Sequence, residues 1–143
     1  MNFIVENCPE VKWYTSLLDV ESWLGIDLRE YDWHFSDIEG AWDELNDPSW
    51  VLGENLHKKL KECDYQFSWA VVSAFPKGTK PFTTEKPFAD GNADLWNGHA
   101  KKQLKSSLFE IVCFDSSATL FIGLSHTLGE NLRCNMKAVK ELR

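Results

Sequence analysis

The stretch "LFEIVCFDSSATLFIGL", residues 108–124, sets the fold class. Two runs rich in β-branched and aromatic residues flank Asp115-Ser116-Ser117. Asp and Ser bond their own backbone and favour turns, so the pattern predicts a β-hairpin. A hairpin is an antiparallel pair. Helices elsewhere in the chain must then pack on a mainly antiparallel sheet, which predicts an α+β, two-layer fold.

Working outward, "YQFSWAVVSAFP" (65–76) alternates Tyr65, Phe67, Trp69 and Val71 and then turns continuously apolar. This predicts a central strand stopped by Pro76. In "YDWHFSD" (31–37), Tyr31, Trp33 and Phe35 fall on one side and Asp32, His34 and Ser36 on the other, predicting a strand with Trp33 in the core. "NFIVE" suits a first strand. Val11, Tyr14, Leu17 and Leu18 fall at helical spacing, predicting a helix over about 10–20, with Gly25 ending the segment. "GENLHKKLKE" places an acid first and lysines last, which complements a helix dipole over 53–62. "TLGENLRCNMKAVKEL" carries a Leu128, Leu132, Met136, Val139 stripe and predicts a closing helix capped by Thr127. The expected order is β-α-β-α-β-loop-β-β-α. "LGENL" occurs twice, at 52–56 and 128–132, and shared helix-start chemistry accounts for it. Residues 40–50 read as loop with one helical turn, and about 77–105 as a long irregular segment.

The 143 residues suit one globular domain, 1–143, with a real core. No basic and apolar leader opens the chain, and no apolar run reaches bilayer-spanning length, so a cytoplasmic location is expected and no membrane partner. The formal charge of -7 argues against a nucleic-acid partner. That charge is uneven. Residues 1–64 carry 15 acids and 5 bases, whereas residues 65–143 carry 7 acids and 10 bases. Asp19 to Asp47 hold ten acids against one base, Arg29. Such a cluster is either spread over solvent or steers a basic partner.

Candidate chemistry is sparse. His34 lies three residues from Asp37, and a carboxylate there would raise its pKa and orient the ring, which makes this pair the one catalytic candidate. The alternative is an outward-facing strand residue beside surface acids. His57, His99 and His126 have no local partner. Cys8, Cys63, Cys113 and Cys134 are scattered without C-x-x-C spacing, so free, mostly buried thiols are expected and no metal or other cofactor. No nucleophile-elbow, Walker, dinucleotide or EF-hand pattern is present.

Surface recognition remains. Trp42 and Trp50 lie among Glu39, Asp43, Glu44 and Asp47. Tryptophan buries a large stiff ring and is a favoured anchor, while carboxylates around it speed encounter with a basic partner.

Several segments together carry a resemblance: "FIVENCPEVKWYTSLLDV", "YDWHF", "LHKKLKECDYQFSWAVVSAFPKG" and "EIVCFDSSATLFIGL" with its following helix. They resemble a family of small bacterial proteins, the DUF2691-type family, over most of the chain. The departures are the 77–105 region and the acidic 36–50 stretch. The resemblance implies a comparable strand-helix opening and transfers no catalytic residue. By type, the short, acidic, Trp-rich, motif-poor chain is similar to immunity proteins of bacterial toxin systems. The expected function is therefore a binding protein with a basic protein partner, an immunity-type inhibitor of a toxin domain. The alternatives are a small hydrolase or ligand-binding enzyme using His34 and Asp37, and a homo-oligomeric structural protein.

Overall fold

A computed structural model describes all residues, Met1–Arg143. Seven strands form one sheet: β1 (Phe3–Glu6), β2 (Tyr31–Gly40), β3 (Ser49–Leu52), β4 (Phe67–Pro76), β5 (Phe109–Phe114), β6 (Ala118–Ile122) and β7 (Lys140–Glu141). Their order is β3-β2-β4-β5-β6-β1-β7, and every pairing is antiparallel. The fold is α+β, as the hairpin requires. That hairpin is β5–β6, and its turn places Asp115 and Ser116 in left-handed backbone at φ 50° and 51°.

Three helices cover one face: α1 (Leu17–Leu24), α2 (Gly53–Glu62) and α3 (His126–Asn135). Below them Phe3, Trp33, Phe35, Phe67, Phe109 and Phe121 are fully buried. Trp33 is the largest of these, and its Nε1 donates to Leu28 O at 3.0 Å. The indole N–H therefore enters the core without losing its hydrogen bond.

Two helix boundaries differ from those expected. The first helix starts at Leu17 rather than near residue 10. Thr15 exchanges two backbone hydrogen bonds with Phe67, both 3.2 Å, which holds it extended. Ser16 then caps the helix by accepting from Asp19 N. The last helix is capped by Ser125, not Thr127, and stops at Asn135. The chain turns at Met136, and Lys140–Glu141 pair with β1 as a strand that was not expected. Residues 49–52, of which Ser49 and Trp50 read as loop in the sequence, form β3 against β2. The two "LGENL" copies also differ. Gly53 is the first residue of α2, where a Cβ would meet Tyr31 O at 2.2 Å and Leu28 O at 2.5 Å. Gly129 sits within the first turns of α3, and a Cβ there would meet the side chains of Met1 and Phe3.

The irregular segment between β4 and β5 crosses the other face of the sheet. It contains one short 3-10 turn, Ala93–Trp96. Ala89 and Leu95 from this strap bury Ile4, Val71, Val112, Leu120 and Ile122. Three sheet carboxylates hold the strap by its backbone. Asp32 accepts from Gly78 N at 2.9 Å. Asp37 accepts from Ala89 N at 2.8 Å and Asp90 N at 2.9 Å. Glu110 accepts from Gln103 N at 2.7 Å and Leu104 N at 2.9 Å, and from Ser73 Oγ at 2.9 Å. An irregular layer can bury its N–H groups only when each finds an acceptor, and these carboxylates supply them. Glu110 is 1% exposed, and burial raises its pKa despite the three donors. No helix is long and apolar enough to cross a membrane.

Candidate functional site

The largest concavity is a groove of about 500 Å³ at the β3 end of the sheet. Its floor is the whole of β3, Ser49-Trp50-Val51-Leu52. One wall is Trp42, Glu44, Leu45 and Asn46, from the segment that joins β2 to β3. The opposite wall is the exposed flank of α2: Asn55, Lys58, Lys59 and Glu62.

Local sequence builds each part. β2 ends at Gly40, where φ is 92° and a Cβ would meet Gln66 O at 2.2 Å. Only glycine fits this close approach, and the chain leaves the sheet there. Trp42 then folds back. Its ring packs against Tyr65 at 5.4 Å, Phe67 at 6.3 Å and Phe35 at 6.5 Å. One ring face rests on the core and the remainder forms groove wall. Asp47 closes the loop by accepting from Asp37 N at 3.0 Å and Ile38 N at 2.9 Å. Trp50 points to the opposite side of the sheet from Val51. It lies against Phe75 at 4.9 Å and His34 at 5.1 Å. The helix wall follows from the amphipathic pattern of α2, with Leu56 and Leu60 buried and the lysines outside.

The expected anchor residues separate into three groups. Trp42, Glu44 and Trp50 all line the groove, and both tryptophans are half-buried, but the Trp50 ring lies on the opposite face of the sheet from the Trp42 ring. Glu39 and Asp43 are exposed and do not line it. Asp47 is exposed beside a smaller cleft that it shares with Ser36, Asp37 and Lys86, and both its oxygens are engaged in holding the loop. Glu39, Asp43, Glu44 and Asp47 form no ion pair within the chain. The groove lining itself is balanced, with Glu44 and Glu62 against Lys58 and Lys59.

The His34–Asp37 pair is not assembled. His34 is 3% exposed and lies on the strap-covered face rather than outward. Burial lowers its pKa, and nearby Asp47 opposes this only in part, so the expected upward shift is reversed. The Asp37 carboxylate is bound to the strap N–H groups instead. His34 Nδ1 is buried with no hydrogen-bond partner. Ser73, its neighbour across β2–β4, donates to Glu110 and not to His34, so no Ser–His pair forms.

The four cysteines are free thiols; Cys8 and Cys113 are buried, whereas Cys63 and Cys134 are exposed, contrary to the expectation of mostly buried thiols. Burial pushes the Cys113 thiol up to about 12, which leaves it protonated and unreactive. No three His, Cys, Asp or Glu side chains gather as metal ligands.

Sequence reading missed β3 and the α2 wall. Pro48 and the short length of "SWVL" hid the strand, while the run Lys58-Lys59 was readable as one polar helix face. The fold and site define an α+β protein with a groove at an open sheet edge. No family model, no curated protein and no solved structure matches this chain.

Proposed function

We propose that this chain is a binding protein for a basic protein partner, and within that class an immunity-type inhibitor that covers a toxin domain. The observation that carries the reading is the groove in which the Trp42 ring and Glu44 face the edge strand that bears Trp50. A partly open indole beside a concavity, here Trp42, supplies anchor area at little entropic cost. Glu39, Asp43, Glu44 and Asp47 lack intramolecular ion pairs, so their field is directed to solvent, where it accelerates encounter with cations. Lys58 and Lys59 leave the groove lining neutral, so the carboxylates act in steering and the Trp42 ring in holding. The DUF2691-type resemblance belongs to this proposal and gives no residue a role.

The test is co-expression with the product of the adjacent gene, followed by stopped-flow association. A basic partner should bind, and its toxicity should be suppressed. Asp43→Lys with Glu44→Lys should slow association about ten-fold or more at low salt and much less at high salt. An unchanged rate overturns the steering claim. A neighbour that is acidic, or forms no complex, overturns the inhibitor reading.

A further inference from the structure

The two ends of the sheet are finished differently. β7 is two residues long, and both, Lys140 and Glu141, are charged. Arg133 and Arg143 pair with Glu141 there. Short length and charge are the usual ways of blocking further strand pairing. β3, at the other end, has neither protection beyond its shortness. Ser-Trp-Val-Leu carries no charge, and its one ladder partner is β2. Leu52 is also the N-cap residue of α2, and no turn or loop backbone hydrogen bond involves Ser49, Trp50 or Val51. Leu52 is 40% exposed, and Ser49 Oγ is buried without a hydrogen-bond partner. All four residues form the floor of the groove. An exposed apolar strand edge set in a groove is the geometry that receives an added strand.

We propose that β3 pairs with an extended segment of the partner, so that the partner's chain becomes an eighth strand of the sheet. The proposal rests on the reading of the groove as the partner site and specifies how that site is filled. Side chains of an added strand alternate between the two faces. Those sharing the face of Trp50 and Leu52 meet apolar surface, so the segment carries β-branched or aromatic residues there. Those on the helix face lie between Trp42 and α2, with Glu44 at the groove wall and Asp43 exposed beyond it. A lysine or arginine at such a position pairs with a carboxylate that has no partner in this chain. The occupant is therefore an extended segment that alternates apolar residues with at least one cation.

A random nonapeptide library displayed on phage, selected against the whole folded chain, tests this. Selected peptides are resynthesised, and amide exchange is followed residue by residue. The expected result has three parts. Peptides alternate apolar residues with Lys or Arg. The β3 amides that do not face β2 gain protection. N-methylation at alternate peptide positions lowers affinity about three- to ten-fold per bond removed. Leu52→Lys, a charged edge residue at an exposed position, should abolish binding with an unchanged circular dichroism spectrum. Binding in the groove that leaves β3 exchange and N-methylated peptides unaffected overturns strand addition and leaves the binding reading standing. Strand addition by acidic peptides as tightly as by basic ones overturns the basic partner while the strand mode holds. Selection of no peptide above background overturns strand addition.

Discussion

The ammonium of Lys59 lies 5.8 Å from the centre of the Trp42 ring. This contact joins the two walls of the groove. It comes from residues 17 positions apart in sequence, one in an acidic stretch and one in a basic helix face. A half-exposed cation–π contact contributes about 0.5–1 kcal/mol. Lys59→Ala should therefore lower stability by about that amount in urea unfolding, and Lys59→Arg should retain it. The same Lys59→Ala change should redshift the emission of Trp42 as the ring becomes freer. An effect on stability above about 2 kcal/mol would show that Lys59 also packs structurally.

His34 gives a pH dependence whose sign follows from burial. Its folded pKa lies below the ordinary 6.5. The unfolded chain therefore binds the proton more readily, and folding stability is complete above about pH 6.5 and is lost as pH falls through the folded pKa. His34→Phe removes the titrating group and keeps an aromatic ring beside Trp50. Wild type should lose stability between pH 7 and pH 5 relative to His34→Phe, as read from thermal melts across that range. Parallel pH profiles would remove His34 as the cause.

Gly53 fixes the junction between the groove floor and its helix wall. The carbonyl oxygens of Tyr31 and Leu28 occupy the space that any Cβ would take. Both are backbone atoms, and a backbone cannot swing aside as a long side chain can. Gly53→Ala should cost about 1–3 kcal/mol by overpacking, although alanine is the better helix former. The displaced β3 should also alter Trp50 fluorescence. A neutral or stabilising result in denaturant unfolding would show that β3 can shift freely.

Much of the fold was legible because strong local signals agreed with the tertiary structure. The 108–124 hairpin, the 65–76 strand and the 53–62 helix combine apolar period with turn or dipole signals. Trp33 was readable as core from its alternation with Tyr31 and Phe35. The misreadings fall where distant contacts override local pattern. Thr15 is held extended by Phe67, a residue 52 positions away. Lys140 and Glu141 are strand only because β1 lies beside them. The site was half legible. Composition drew attention to Trp42, Glu44 and Trp50, but nothing local showed that α2 supplies the facing wall. His34 and Asp37 are close in sequence, yet the Asp37 backbone is left-handed at φ 58° and its carboxylate is directed to the strap. The acids at Asp32 and Glu110 stand within apolar runs, and their role in holding the strap depends on chain that lies far along the sequence.

The strap gives the last prediction. Its backbone is fixed to the sheet through carboxylates, with Asp37 receiving two N–H groups on a single oxygen. Charge-assisted bonds of this kind are stronger than neutral ones, so Asp37→Asn keeps the shape of the acceptor and weakens the hold. Glu110→Gln removes more. Its carboxylate accepts three donors, and an amide presents an NH₂ to at least one of them, which costs about 1–3 kcal/mol in a buried site. Both variants should free the strap before they unfold the sheet, because β4 and β5 remain paired through their own ladder. Limited trypsin digestion reads this directly. Lys101 and Lys105 are exposed on the strap, each followed by a residue other than proline, and cleavage there should accelerate several-fold in Asp37→Asn and further in Glu110→Gln. Amide exchange in β4 and β5 should change much less than exchange at Ala89, Asp90, Gln103 and Leu104. Equal acceleration of exchange in strap and sheet would mean that the two open as one unit, and that the carboxylates stabilise the whole fold rather than holding a separable cover.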